Sequence, residues 1–105
     1  MSREEFLRTA RPHLVADVEM YPTDAGGKDR PAQLGWGCPC VPSPAEEVVG
    51  WDGWPLLGDD PLMPGDRRRL GFYFISGDDA ADVMRRAGRF YLWEGHYVGE
   101  AVVVD

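Results

Sequence analysis

The sequence predicts a mainly β fold of about six short strands, packed as a small antiparallel barrel or sandwich. With 105 residues, the chain fits a single domain, and 44% of the residues are hydrophobic, which is enough for one core. Thirteen glycines and nine prolines predict many turns, and frequent turns favour short strands over a helical bundle.

The N-terminal segment predicts a short helix followed by the first strand. Ser2-Arg3-Glu4-Glu5 is a capping-box pattern, and the helix that it starts ends before Pro12. Residues 14–21 alternate imperfectly and are rich in β-forming residues, which predicts a strand. We therefore divide the chain into an N-terminal helical extension, residues 1–12, and a β-barrel domain, residues 13–105.

The remaining elements follow from alternation and from turn residues. Leu70, Phe72 and Phe74 alternate along one face of the clearest strand, and they predict its buried side. Trp51-Asp52-Gly53-Trp54 is interpreted as a turn, and Pro39 requires an edge position or a bulge. The further predicted elements are strands at residues 33–41, 46–51, 67–76, 90–93 and 97–104, a helix at residues 78–87 and a hairpin turn at residues 94–96.

The negative charge is concentrated in the middle third of the chain. The net charge is −7, and residues 38–66, here called the acidic middle, contain six acidic residues and no Lys or Arg. Such a segment repels phosphate and attracts basic partners, although a solvated loop is the simpler interpretation. Its acidic residues are Glu46, Glu47, Asp52, Asp59, Asp60 and Asp66.

Tryptophans accompany this acidic segment and indicate a protein-binding surface. Trp36, Trp51 and Trp54 either anchor an interface or cap the open end of a small barrel. We expect residues 43–60 to form the contact, with Trp51 and Trp54 as anchors. The steering carboxylates would be Glu46, Glu47, Asp52, Asp59 and Asp60.

Four segments occur in the order of a known family, at spacing near that of the family. They are Ala16-Asp17-Val18-Glu19 with Thr23-Asp24-Ala25-Gly26-Gly27-Lys28, then Gly35-Trp36-Gly37-Cys38-Pro39, then Met63-Pro64-Gly65-Asp66, and then Gly88-Arg89-Phe90 through Trp93-Glu94-Gly95 to Val98-Gly99. Over roughly residues 13–104, the chain resembles the third, C-terminal domain of elongation factor Tu. The resemblance implies a six-stranded antiparallel β-barrel.

The resemblance also implies an alternative function, because the family's barrel helps to hold the T-stem of aminoacyl-tRNA. Glu94 and Gly95 match the Glu-Gly pair with which the family approaches the tRNA backbone. Arg67 and Arg69 belong to a compact basic run that could bind phosphate, although ion pairing with the acidic middle is the favoured interpretation. The alternative RNA-binding set is Lys28, Arg67, Arg69, Glu94 and Gly95.

No pattern in the sequence supports catalysis or a metal site. The chain lacks the glycine-rich phosphate loop of GTPases. Cys38-Pro39-Cys40, with His13 and His96, is too closely spaced for a typical zinc site, and buried strand cysteines are the favoured interpretation. No family signature supports a cysteine nucleophile with His96 as its base. We expect no catalytic residue, no metal and no cofactor.

The sequence therefore predicts a non-enzymatic binding domain with a basic protein partner. A toxin-neutralising immunity-type protein and a translation-associated regulator both fit this description, and a tRNA- or RNA-binding barrel is the alternative. The N-terminus has no apolar stretch of the signal-peptide kind, so we expect a cytoplasmic protein with reduced thiols. Ten Arg against one Lys suggests a GC-rich bacterial genome.

Overall fold

Six strands close into an antiparallel barrel, which confirms the predicted fold class. The computed structural model describes residues 1–45 and 47–105. The strands in these residues are β1 (Leu14–Met20), β2 (Cys38–Val41), β3 (Trp51–Pro55), β4 (Arg67–Phe74), β5 (Arg89–Trp93) and β6 (Tyr97–Val103). Their order around the barrel is β1-β4-β3-β2-β5-β6, and β6 pairs back with β1.

Phenylalanines from two strands fill the barrel interior. Phe72 and Phe74 point inward from β4, as the alternation predicts, and Phe90 points inward from β5. The ring centroids of Phe72 and Phe90 lie 5.1 Å apart in an edge-to-face arrangement. Burying each of these side chains contributes about 1.5–3 kcal/mol, so this cluster is a main source of stability.

Two helices lie outside the strands, as predicted. Helix α1 spans Arg3–Thr9, and the Ser2 side chain accepts a hydrogen bond from the Glu5 backbone N–H at 3.1 Å. Helix α2 spans Asp78–Ala87, and it ends at Gly88, whose φ of 78° suits a glycine. Neither helix in the described chain has the length and hydrophobicity that crossing a bilayer requires.

The third strand lies later in the chain than predicted. The predicted strand at residues 46–51 and the predicted turn at Trp51–Trp54 are therefore both wrong. Residues 47–50 lie outside the strands, and β3 occupies the Trp51–Trp54 segment that was interpreted as a turn. The reason is the packing of Gly53, which is buried. A Cβ at this position would lie 2.9 Å from Cε1 of Phe74, so the glycine permits close packing within a strand.

The second strand is shorter than predicted and accommodates its proline. It covers only Cys38–Val41, and Pro39 faces Asp52 of β3 but has no partner in β5, where pairing begins at Cys40. Pro39 therefore occupies the locally unpaired edge that its missing N–H requires. Cys38 and Cys40 are free and buried, as predicted for strand residues, and burial raises the pKa of the Cys40 thiol.

Candidate binding surface

A cleft of about 510 Å³, here called the Trp54 cleft, lies where α1 covers the outer face of β3 and β4. Its charged lining residues are Arg3 and Asp52. Its other lining residues are Phe6, Leu7, Trp54, Tyr73 and Ile75. The cleft thus contains one predicted anchor, Trp54, and one predicted steering carboxylate, Asp52.

Strand alternation explains why these side chains meet on the outside. Gly53 and Pro55 point into the barrel, so Trp54 points outward from the same strand. The β3–β4 register places Trp54 opposite Tyr73, and their ring centroids lie 6.4 Å apart. Phe6 of α1 packs edge-to-face against Tyr73 at 5.1 Å, which closes one side of the cleft.

The Trp54 indole is held in a tight position against the Gly35–Gly37 loop. A Cβ on Gly37 would lie 2.4 Å from the indole nitrogen, so only glycine fits there. That nitrogen is buried, and it has no hydrogen-bond partner among the described residues. On the ring face, the guanidinium carbon of Arg3 lies 5.5 Å from the ring centroid, within cation–π range.

The cleft combines exposed apolar surface with a carboxylate that forms no direct ion pair. Ile75 is 67% exposed and Phe6 is 41% exposed, although both are large hydrophobic residues. The Asp52 side chain forms no ion pair or hydrogen bond with the rest of the described chain. Exposed apolar side chains beside a free carboxylate form a surface suited to noncovalent binding of an amphipathic, basic group.

The structure separates the two predicted tryptophan anchors. Trp51 faces the opposite side of β3 from Asp52, and it is half-buried against the hydrophobic core. Trp36 also packs partly against this core. The Trp54 cleft therefore contains one tryptophan, and Trp51 packs against the core instead.

The structure separates two of the predicted steering carboxylates. Asp52 lies in the Trp54 cleft, whereas Asp59 lies on the other side of the helix and pairs with Arg8 at 2.6 Å. Glu47 and Asp60 are exposed. Glu46 lies outside the described residues. The structure thus brings Asp52 together with Trp54 and places Asp59 apart from them.

Part of the alternative RNA-binding set forms a second cluster, at the β5–β6 hairpin. Glu94 accepts a hydrogen bond from Lys28 Nζ at 2.8 Å and another from the Trp36 indole at 2.6 Å. Lys28 also lies over the Trp36 ring, 4.9 Å from its centroid. The neighbouring Gly95 has a φ of 74°, which makes the hairpin turn. The structure thus brings these three side chains together beside Gly95.

This cluster is electrostatically self-contained. Burial acts to raise the pKa of Glu94, but the hydrogen bonds from Lys28 and Trp36 outweigh it and hold that pKa below its ordinary value. The Lys28 side chain is only 10% exposed. The one lysine of the chain is therefore neutralised by a carboxylate of the same cluster.

Arg67 and Arg69 lie on the outer face of β4, apart from the hairpin cluster, and their ion-pair partners were not predicted. The β1–β4 register places Asp17 opposite Arg69 and Glu19 opposite Arg67. Arg69 binds Asp17 through two hydrogen bonds, at 2.8 and 3.1 Å, which lower the pKa of Asp17. The expected pairing with the acidic middle is therefore wrong for these two arginines, because their cross-strand neighbours are nearer.

Other arginines near this face are also paired. Arg89 pairs with Glu100, and Arg85 pairs with Asp82 and with Asp105. Glu100 also accepts a hydrogen bond from the hydroxyl of Tyr21, and burial together with this carboxylate raises the pKa of Tyr21 to about 12. Ion pairs thus join β4 to β1 and β5 to β6 on the outside of the barrel.

The described residues contain no group of three or more His, Cys, Asp or Glu side chains arranged to hold a metal ion. Cys38 and Cys40 are buried in β2, and the ring nitrogen Nδ1 of His13 accepts a hydrogen bond from the Phe74 backbone N–H at 2.9 Å. The Trp54 cleft instead presents apolar side chains, aromatic rings and a carboxylate, which are groups suited to noncovalent contacts.

Sequence reasoning missed five residues of the cleft: Arg3, Phe6, Leu7, Tyr73 and Ile75. A signal existed for two of them, since Tyr73 and Ile75 alternate with the inward phenylalanines of β4 and must point outward. Nothing in the sequence pattern indicated that α1 would lie across this face.

The sequence matches no protein-family model and none of the curated proteins with which it was compared.

Proposed function

We propose that this chain is a non-enzymatic binding domain that docks a basic protein partner at the Trp54 cleft. The observation that carries the proposal is the presence, in one cleft, of exposed apolar side chains and the Asp52 carboxylate, which forms no direct ion pair in the described chain. Protein interfaces rely on a few aromatic anchors, and nearby charges steer the partner. Trp54 and Tyr73 are the anchors, and Asp52 is the steering group.

The distribution of charge supports a basic partner. Glu47, Asp52 and Asp60 of the acidic middle form no ion pair within the described residues. Most of the positive charge, in contrast, is already matched. Within the same residues, seven of the eleven basic side chains form ion pairs: Arg8, Lys28, Arg67, Arg68, Arg69, Arg85 and Arg89. The excess negative charge, −7 in all, therefore resides mainly on unpaired carboxylates, which can attract a basic partner.

The alternative proposal, a tRNA- or RNA-binding barrel, draws its support from the resemblance to the third domain of elongation factor Tu. The closed six-stranded barrel is compatible with that resemblance. However, Lys28, Arg67 and Arg69 are each held by a carboxylate of the same chain. Binding the RNA backbone requires cations that can neutralise phosphates, so these contacts favour the protein partner.

The class of partner fits two cellular roles. A toxin with a basic surface would make the chain an immunity-type protein, and a basic component of the translation machinery would make it a regulator. Free cysteines such as Cys38 and Cys40 favour a reducing compartment, so we place the complex in the cytoplasm.

The test compares capture of partners by matched variants. The tagged wild type, Trp54→Ala, the pair Glu47→Lys with Asp52→Lys, and the pair Arg67→Glu with Arg69→Glu are each incubated with native-host lysate at moderate salt. Bound proteins and bound RNA are both quantified. Thermal unfolding of each variant first establishes that it is folded.

The proposal expects a basic protein to be recovered in stoichiometric amount by the wild type and by the Arg67/Arg69 variant. The same protein should be lost with Trp54→Ala and with the Glu47/Asp52 variant. Stoichiometric tRNA that is lost with the Arg67/Arg69 variant and kept with the Glu47/Asp52 variant would overturn the proposal in favour of the RNA-binding barrel.

A further inference from the structure

A cation of the chain itself, the guanidinium of Arg3, lies over the Trp54 ring. The guanidinium of Arg3 lies over the indole at 5.5 Å from the ring centroid, and its Nη1 donates a hydrogen bond to the Gly35 carbonyl oxygen at 3.3 Å. Arg3 forms no ion pair with any carboxylate among the described residues. The contact with Trp54 is therefore a main interaction of this charged group.

The surroundings of this position are those that an arginine side chain requires. The Trp54 and Tyr73 rings provide aromatic faces, on which a guanidinium stacks better than an ammonium. Ile75, at 67% exposure, provides an apolar surface for the methylene groups of such a side chain. Asp52 lines the same cleft and has no other partner in the described chain, so a carboxylate is available for a second cation.

The attachment of Arg3 is suited to exchange. Leu7 is the one buried residue of α1, and Arg3 lies a full helical turn before it, at the exposed start of the helix. Interactions of one exposed cation with an aromatic ring are weak, and the first turn of a short helix opens easily. A partner's side chain could therefore replace Arg3 without displacing Leu7.

We propose that the Trp54 cleft is an arginine-binding site for the basic partner, and that Arg3 occupies it in the free chain as an internal competitor. This inference rests on the proposed function, and it adds the chemical group that the cleft recognises. The incoming guanidinium stacks on Trp54 and pairs with Asp52, while Arg3 moves into solvent. Affinity for arginine-containing partners is thus lowered by the chain's own N-terminal helix.

The test uses blocked hexa-arginine as the probe, with hexalysine and the neutral isostere hexacitrulline for comparison. Affinities of all variants are measured by isothermal titration calorimetry. In the variants that retain Trp54, the NMR resonance of its indole N–H, assigned by its absence from the spectrum of Trp54→Leu, reports whether the probe occupies the cleft. Arg3→Gln removes the internal cation. Arg8→Gln is the matched control, since it removes the same charge from the same helix but lies on the Asp59 side.

The proposal expects Arg3→Gln to tighten hexa-arginine binding by about two- to fivefold relative to Arg8→Gln, the range that an exposed cation–π contact supports. Trp54→Leu should weaken binding by about tenfold, as expected for an aromatic anchor. Hexalysine should bind more weakly than hexa-arginine, and hexacitrulline should not shift the indole resonance. Arg3 is exposed, so Arg3→Gln keeps the barrel intact and tests the proposal even if Trp54→Leu fails to fold.

Three results would overturn the inference, and they are distinct from failure of the proposed function. Equal effects of Arg3→Gln and Arg8→Gln would show that only bulk charge matters. Equal affinity for hexalysine would remove the preference for arginine. Binding that depends on Glu47 and Asp52 but not on Trp54 would leave the acidic surface without the arginine site. Binding that responds to none of these residues would contradict the proposed function as well.

Discussion

The indole N–H of Trp36 donates a 2.6 Å hydrogen bond to Oε2 of Glu94, and it joins two residues that lie 58 positions apart in the chain. The other carboxylate oxygen binds Lys28. This contact holds the β5–β6 hairpin to the loop before β2, and it is strongest while Glu94 is ionised, because a carboxylate accepts hydrogen bonds more strongly than a carboxylic acid.

We predict that Glu94 makes the stability of the protein depend on pH at acidic values. Its folded-state pKa is lower than the ordinary value of 4.5. The stabilisation is therefore fully present above pH 4.5, and it is lost as the pH falls through the lowered folded-state pKa. Urea unfolding of the wild type and Glu94→Gln at neutral pH and at pH values below 4.5 checks this.

The difference in unfolding free energy between the wild type and Glu94→Gln should shrink as the solution is acidified. Glu47→Gln is the control, since Glu47 is exposed and forms no ion pair in the described part of the chain. A wild-type advantage that stayed constant down to the lowest pH would show that the Glu94 contacts do not depend on its charge.

The close approach at Gly53 predicts that Gly53→Ala destabilises the barrel by about 1–3 kcal/mol. The added Cβ would lie 2.9 Å from Cε1 of Phe74 and 3.0 Å from Sγ of Cys40. Both neighbours are buried side chains with little room to move. Chemical denaturation measures the loss, and the double variant Gly53→Ala/Phe74→Leu should recover part of it, because Leu removes the ring atoms that clash. Additive losses would mean that Phe74 is not the obstacle.

The phenylalanine cluster predicts a large difference between two Phe→Ala substitutions. Phe90 is fully buried, so Phe90→Ala should cost about 3–5 kcal/mol of unfolding free energy. Phe6 is 41% exposed and packs edge-to-face against Tyr73, so Phe6→Ala should cost about 1 kcal/mol. Similar losses of unfolding free energy for the two variants would contradict this prediction, and they would show that α1 unfolds together with the barrel core.

The attachment of α1 predicts a local effect of Leu7→Ala. Leu7 is 3% exposed and is the buried residue of its helix, so its truncation should remove the main apolar contact of α1. Hydrogen exchange should then show faster exchange in Arg3–Thr9 and unchanged exchange in β4 and β5. Faster exchange throughout the barrel would instead show that α1 stabilises the whole fold.

Local sequence patterns predicted most helices and strands of the fold, because residues close together in the chain determine where such elements start and end. The capping box at Ser2 marks the start of α1, and the acidic first turn and Gly88 mark the two ends of α2. β3 was misplaced because Trp-Asp-Gly-Trp has the composition of a turn. What makes Gly53 a strand residue is its distance to Phe74, which lies in another strand.

The candidate site was predicted only in part, for a similar reason. Trp54 and Asp52 were identified from the composition of the acidic middle. Whether Trp51 or Trp54 faces outward depends on the register of β3 against β4, which the sequence pattern does not provide. The partner of Arg69 lies 52 positions away, and it became apparent only from the β1–β4 register.

The pairing of the first strand with the last has a consequence for how the chain folds. The Val15 N–H donates to Oδ2 of Asp105, 90 positions away, and β1 is bounded on one side by β6. The barrel closes only when β1 meets β6, which brings together residues from nearly opposite ends of the described chain. The entropic cost of closing this large loop therefore comes before most of the stabilising contacts form. We expect refolding on the millisecond-to-second timescale typical of β topologies dominated by distant contacts. During synthesis, β1 stays without one of its two neighbours until β6 has emerged from the ribosome.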